Sequence, residues 1–298
     1  MNEEGVLTLP SGRKVGWRLR GDASARVVAW LHGQPGSRRD TDLVPLQALA
    51  SRGIRLLSID RAGYGDTSPT GLDRRDVAAD LLAVADHVGA ERFPIIAVSM
   101  GAIYALATAV LAPARVEGLV LAAGHVLPYD DPEVYGALSA SEQEDVDLLR
   151  QGREAAESAY AGAASRVLAD PHGLLRRLAA GWSAAERSFA DGPTGAAVAD
   201  SLAFGLTAGY EGMLDDGLRT IRPLEFDLDD VRCPVVAIHG ESDDLEPYVN
   251  VRRLATRLPG LRIIAMPDMG HFAPWVWPGI PLDVLPPTAE PGGHMRPD

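Results

Sequence analysis

The sequence holds one cysteine, Cys233, and one lysine, Lys14. A single thiol excludes an internal disulfide and fits a reducing cytoplasm. Its setting before Pro234, Val235 and Val236, at the entrance to a strand, reads as core. The lone lysine lies near the start of the chain, a poor place for a Schiff base, which argues against pyridoxal-type chemistry. Positive charge is scarce as well: 28 Lys and Arg against 41 Asp and Glu leave a net charge of −13. That balance disfavours nucleic acid and anionic membrane as partners, because phosphate contacts need a basic face. Met1-Asn2-Glu3-Glu4 lacks the basic-then-apolar opening of a signal peptide, so a cytoplasmic protein is expected. No G-x-G-x-x-G opens a helix after the first strand and no G-x-x-x-x-G-K-[ST] loop is present. Histidines and carboxylates form no zinc spacing, so no metal is expected.

What the chain does have is an uncharged run over 93–114, FPIIAVSMGAIYALATAVLAPA. Its length alone, about 20 apolar residues, suits a membrane-spanning helix. Its interior does not. Pro94, Ile95, Ile96, Ala97 and Val98 read as a short buried strand, Ser99-Met100-Gly101 as a sharp turn, and 102–111 as a helix packed on several sides. Strand, serine-bearing turn and buried helix make a nucleophile elbow. A strained turn with positive φ pushes the Ser99 hydroxyl out at the top of a sheet. Gly101 leaves room for the helix to pack back, and Met100, opening the helix, keeps its N–H free for a developing oxyanion.

Around this run, strand and helix patterns alternate. Strands are expected over 6–9, 14–20, 26–31, 54–59 and 116–122, with helical spacing over 41–52 and an amphipathic helix over 73–88. Such alternation argues for an α/β fold, a mostly parallel sheet with helices on both faces. The first core segment is expected over 1–124. From 125 to 210 the rhythm gives way to alanine-rich helical stretches, with Ser141 to Glu144 as a capping-box start, so an inserted helical lid is expected. Its acidic and arginine residues read as a solvated face. Strands resume over 234–238 and 261–265, with a helix near 249–258, giving a second core segment over 211–277. Prolines and glycines forbid a long helix in 278–298, expected to be extended or disordered.

Three motifs accompany Ser99. His32-Gly33-Gln34-Pro35-Gly36 follows a strand directly, where a sharp turn leaves the Gln34 N–H free. Together with the Met100 N–H it would supply two oxyanion donors, each worth ~3 kcal/mol in the transition state. His32 itself reads as structural. His239-Gly240-Glu241-Ser242-Asp243-Asp244-Leu245-Glu246-Pro247 also follows a strand, where Asp243, or Asp244 in its place, can orient an imidazole. Met269-Gly270-His271-Phe272 follows the last strand, and His271 there can take the Ser99 proton and pass it to a leaving group. The order Ser99, Asp243, His271 is that of serine, acid, histidine.

On these motifs, with Asp60-Arg61-Ala62-Gly63-Tyr64-Gly65, the chain resembles the α/β-hydrolase superfamily over nearly all its length apart from the tail. The resemblance is to the lidded serine-nucleophile branch of esterases and proline-iminopeptidase-like enzymes. It implies an eight-stranded core, a lid after the sixth strand and no cofactor. Ser99 argues against the related enzymes whose nucleophile is aspartate. The chain departs from the pattern at Ala97 for glycine, at Glu246 before Pro247, and in a closing helix broken by proline. The leading expectation is a serine hydrolase that cleaves an ester, lactone, thioester or amide of a small, largely apolar molecule. Lid aromatics and the lid entrance supply the candidate pocket residues His125, Tyr129, Trp182, Phe204 and Tyr210, with Asp130 or His125 as alternative acids. Carbon–carbon hydrolysis, lyase or cyclase chemistry with His271 as base stays open, as does a ligand receptor on the same scaffold. Partner expectations are a small-molecule substrate and a homodimer.

Overall fold

The structure is a computed structural model and describes residues 2–276 and 280–286. Its strands are β1 (Asn2–Thr8), β2 (Lys14–Gly21), β3 (Arg26–Leu31), β4 (Ile54–Ile59), β5 (Phe93–Val98), β6 (Val116–Ala122), β7 (Val235–Gly240) and β8 (Arg262–Met266). They form one sheet in the order β1-β2-β4-β3-β5-β6-β7-β8. β2 runs antiparallel to both β1 and β4, and every pair from β4 to β8 is parallel. The chain steps outward from β3 to β4 and then back past β3 to β5. Loops leaving β3 and β5 therefore diverge, which opens a crevice at the carboxyl ends of the strands.

The central strands are uninterrupted apolar runs because both faces of the sheet are covered. Along β3, Val27, Ala29 and Leu31 enter one core cluster while Val28 and Trp30 enter the other. β5 repeats this, with Ile95 and Ala97 on the first side and Ile96 and Val98 on the second. Helices α1 (Leu46–Ala50), α2 (Arg74–His87) and α3 (Gly101–Leu111) provide crossovers. The expected helix over 41–52 divides instead into a 3₁₀ turn at Arg38–Leu43 and the short α1, since Pro45 cannot donate within a continuous helix. α2 is capped by the Asp73 side chain on the Arg75 N–H. α3 is buried on all sides from Gly101 to Ala109, which is why its apolar run shows no amphipathic stripe.

Between β6 and β7 the chain is helical: α4 (Pro132–Ala137), α5 (Ala140–Arg150), α6 (Arg153–Ala169), α7 (Pro171–Ala179), α8 (Ala184–Asp191), α9 (Pro193–Gly205) and α10 (Glu211–Thr220). α10 packs against α5 and α6, so the helical layer runs past residue 210. The cap of α5 is Ser139, whose side chain accepts the Glu142 N–H, two residues before the expected start. A reciprocal capping box occurs at Ser183 and Glu186, opening α8. This layer, the lid, shares its apolar core with the second face of the sheet through Tyr160, Leu175, Trp182, Phe189 and Met213.

α11 (Tyr248–Arg257) joins β7 to β8, and α12 (Ala273–Val276) and α13 (Ile280–Asp283) follow. The extended or disordered tail expected from 278 needs correction over 280–286. Leu282 is buried, Arg52 binds Asp283, and the Pro286 carbonyl accepts from Arg26 at 3.1 Å. Burial of Leu282 holds this piece down even though proline keeps its helix to one turn. The rest of that expectation, 278–279 and 287–298, lies outside the described residues. Among the described residues no helix is long and apolar enough to cross a membrane.

A Cβ at Gly101 would press into the Leu31 carbonyl oxygen and come within 2.8 Å of that of His32. The room Gly101 provides is thus against β3, beside its own strand. Gly101→Ala is expected to lower unfolding free energy by about 1–3 kcal/mol through overpacking, read from the midpoint of urea denaturation.

Candidate active site

The parallel strands deliver their following loops to one edge of the sheet. Ser99 comes directly after β5 and holds φ at 47°, a left-handed conformation that non-glycine residues adopt at a cost of ~1–3 kcal/mol. Backbone bonds hold it there. Its N–H donates to the Ala122 carbonyl at 2.9 Å, and its carbonyl accepts from Ala102 and His125 N–H groups, both at 3.0 Å. The residue is half-buried between buried Val98 and Met100, so the turn presents the hydroxyl while its flanks stay packed.

Asp243 follows β7 and His271 follows β8. His271 Nδ1 lies 2.8 Å from Asp243 Oδ2, and the acid is buried at 5 % exposure. Asp243 Oδ1 accepts the N–H groups of Leu245 (3.0 Å) and Glu246 (2.9 Å), which fixes the carboxylate plane. A second imidazole, His239, sits 3.4 Å from Oδ2 and bonds the Glu246 carbonyl at 2.7 Å. Burial opposes charge on His271, but the Asp243 carboxylate, with Glu246 and Asp244 nearby, outweighs it and holds this imidazole above its ordinary range. With Nδ1–H engaged by Asp243, Nε2 is left as the basic nitrogen. Ser99 and His271 line the same cavity, of about 470 Å³, although no hydrogen bond joins them among the described residues. Such contacts are often long in the unliganded state.

Gln34 and Met100 line this cavity as well, and neither N–H has an acceptor among the described residues. The turn that carries Gln34 is braced from below. His32 is fully buried, its Nδ1 2.8 Å from the Gly33 carbonyl and its Nε2 accepting the Arg61 N–H at 3.0 Å. Burial and then the Arg61 charge push its pKa well below the ordinary value, so His32 is a neutral strut. The Arg61 guanidinium donates to the His32 and Gly33 carbonyls at 3.1 and 3.0 Å and pairs with buried Asp216 on α10. Tyr64 and Tyr104 also donate to Asp216. The Gln34 side chain reaches the same helix, at the Met213 carbonyl (2.8 Å).

Of the aromatic and lid-entrance candidates, the structure brings Tyr129 to the cavity wall and leaves four away from it. His125 is fully buried, its Nδ1 3.2 Å from Glu246, whose other oxygen accepts from Tyr129 (3.0 Å). Trp182 Nε1–H donates to Asp244 at 2.8 Å, and the indole packs on the loop of His271. Phe204 is covered by the guanidinium groups of Arg38 and Arg39. Tyr210 turns outward to Glu157 at 2.6 Å. His125, Trp182 and Tyr210 lie in connections between elements, where no periodicity in the sequence tells an inward side chain from an outward one. Asp244 is engaged by Trp182, and neither it nor Asp130 lines the cavity.

The reading of lid charges as a solvated face also needs correction. Glu142, Asp145 and Arg166 line the cavity together with Asp40 and Glu246. Burial, then the charges of Glu246, Asp145 and Asp244, raise the Glu142 carboxyl to about 7. Burial likewise raises Asp40 to about 6, moderated by its bond from Ser201. Aliphatic Leu174, Leu178, Val198 and Leu202 also line the cavity. Cys233 is partly buried and far from reactive, its thiol pushed up to about 11 by burial. No cluster of three metal-ligating side chains occurs among the described residues.

Comparison with known proteins places this geometry. Residues 28–277 match the model of the alpha/beta hydrolase family. A protein of Caulobacter sp. (strain K31) named for carbamate hydrolysis is 28% identical over 262 residues, 81% of this chain and 87% of that protein. The rhodomycin D methylesterase of Streptomyces peucetius is 27% identical over 255 residues, 77% of this chain and 79% of the esterase. A thermophilic esterase structure from Thermogutta terrifontis superposes with a TM-score of 0.66 at 19% identity, covering 95% of this chain and 96% of that one, a likeness of fold. With its sheet order and its match over most of the length, the chain belongs to the alpha/beta hydrolase family.

Proposed function

We propose that the protein is a serine hydrolase acting on a small acyl substrate through an acyl-enzyme on Ser99. The observation that carries this reading is a positive-φ serine opening onto the same cavity as an Asp243-bound imidazole and two unengaged backbone N–H groups. His271 Nε2 takes the Ser99 proton as Oγ attacks the carbonyl carbon, and the Gln34 and Met100 N–H groups receive the oxyanion. Collapse expels the leaving group, which takes the proton from His271. Water, deprotonated in turn by His271, then adds to the acyl carbonyl, and Ser99 leaves with that proton. Asp243 holds the imidazole orientation and stabilises its charged form. Relatives named for methyl-ester and carbamate cleavage support this class of reaction.

The cavity supports a substrate of mixed character. Its aliphatic lining suits an apolar acyl or alkyl group. The lining also carries four carboxyl groups and one guanidinium, so an anionic substrate group meets net repulsion.

A fluorophosphonate is expected to add one phosphonyl mass to the intact protein, with no adduct on Ser99→Ala. A folded wild type that stays unlabelled would overturn the acyl-enzyme reading and favour His271 acting as a base alone. The pH dependence has a definite sign. His271 must be neutral to act, and Asp243 favours its protonated form, so kcat/KM should rise with pH to a midpoint above the ~6.5 of a free imidazole. Asp243→Asn should move that midpoint down and lower kcat roughly 10³–10⁴-fold, as loss of the orienting acid does elsewhere. Between p-nitrophenyl butyrate and the p-nitrophenyl monoester of succinate, the neutral ester should show the higher kcat/KM. Equal values would remove the acidic lining from specificity.

A further inference from the structure

We propose that Glu186, on lid helix α8, is the positioning residue of the catalytic histidine. The assignment of His271 as the base rests on the serine hydrolase reading above. Glu186 has no exposed surface. One oxygen of its carboxylate, Oε1, accepts the Phe272 N–H at 3.0 Å, and the other, Oε2, accepts the Gly270 N–H at 2.9 Å. These are the two residues that flank His271. A single side chain thus holds the backbone on both sides of His271, through the 269–270 and 271–272 peptides.

Backbone N–H groups and one hydroxyl satisfy this buried carboxyl group. Oε2 also accepts the Ser183 N–H (3.2 Å) and hydroxyl (3.0 Å), and no cation pairs with Glu186 among the described residues. A capping box needs only the bond to its own N-cap residue. The bonds to Gly270 and Phe272 go beyond that requirement. Bonds from neutral donors to a carboxylate are short-range and directional, so they set position more than bulk stability.

The same lid corner grips the acid loop. Trp182 Nε1–H donates to Asp244 at 2.8 Å, next to Asp243, and the indole lies where a Cβ at Gly270 would come within 2.6 Å of it. Ser183 Oγ reaches Met269 Sδ at 3.3 Å. Residues 182–186 therefore hold the Asp243 loop and the His271 loop at one spacing. The base is in register with its acid only while this corner of the lid is docked. α8 belongs to the fixed frame of the site, and access to the cavity falls to other parts of the lid.

Glu186→Gln tests this, because it keeps shape and volume while setting an NH₂ donor against a backbone donor. The readouts are the fluorophosphonate labelling rate of Ser99 and the downfield Nδ1–H proton resonance of His271 in NMR spectra, which needs no turnover. Labelling should slow about 10²-fold, the scale of a 1 Å misplacement, and the resonance should shift or broaden. Asp73→Ala serves as the structural control. It removes the cap of α2, which touches neither loop, so thermal stability should fall with the labelling rate within about twofold. A folded Glu186→Gln protein with unchanged rate and resonance would overturn the proposal, and so would an equal loss of rate in Asp73→Ala. Should Glu186→Gln not fold, Trp182→Phe removes the Asp244 bond and part of the indole packing on the His271 loop and should slow labelling roughly tenfold, while an unchanged rate there counts against the bracket. If wild-type protein shows the His271 resonance but takes no label, the serine hydrolase reading fails, and the resonance in Glu186→Gln still decides the positioning role.

Discussion

The turn at Ser99 is the constraint on which the rest of the structure depends. A residue with φ of 47° between a buried strand and a buried helix is unfavourable by itself, so the surroundings must hold it. They do so through β6, whose end supplies the Ala122 carbonyl, and through the His125 N–H that follows it. They do so also through α3, which can lie against β3 only because position 101 is glycine. β5 must therefore be central and flanked by parallel neighbours. Once it is, the loops after β3, β7 and β8 arrive at the same edge and bring Gln34, Asp243 and His271 with them.

Buried carboxylates then divide into two groups with different physical roles. Asp243, Asp216 and Glu186 are enclosed and engaged by imidazole, guanidinium, hydroxyl or peptide N–H groups, and each braces a loop at the cavity, Asp216 through Arg61. Glu142 and Asp40 face the cavity with fewer partners, and desolvation lifts both toward neutrality. The helical layer between β6 and β7 contributes to both groups, through Asp216 and Glu186 to the first and Glu142 to the second. Arg61 and Asp216 brace the turn that carries Gln34 as the Trp182–Glu186 corner braces the loop of His271.

Much of this was legible in the one-dimensional pattern. Strand and helix alternation, the turn at Ser99, the Gly/Pro turn after β3 and the histidine in the glycine-bearing loop after the last strand are local signals, each fixed by neighbours within a few residues. Pocket aromatics were not legible. Trp182 and Tyr210 sit in the short connections before α8 and α10, and Phe204 near the end of α9; packing between segments decided where each ring went, and three different outcomes followed: a brace, a cation–π stack and an outward hydrogen bond. The Ser183-Ala184-Ala185-Glu186 pattern did carry a signal for a cap, yet nothing local announces that its carboxylate also reaches Gly270 and Phe272, 84 and 86 residues away. Glu246 stood out as a departure before Pro247, while its partners His125 and Tyr129 come from the far end of β6.

The sequence by itself determined the order of elements, the class of fold and the serine–acid–histidine order, because backbone preference and hydrophobic period act over short distances along the chain. Tertiary structure alone decided which lid side chains face the cavity, which buried acids are engaged, and how the lid holds the histidine loop. Those outcomes depend on through-space distances of about 3 Å between segments many residues apart, and no local propensity encodes such distances.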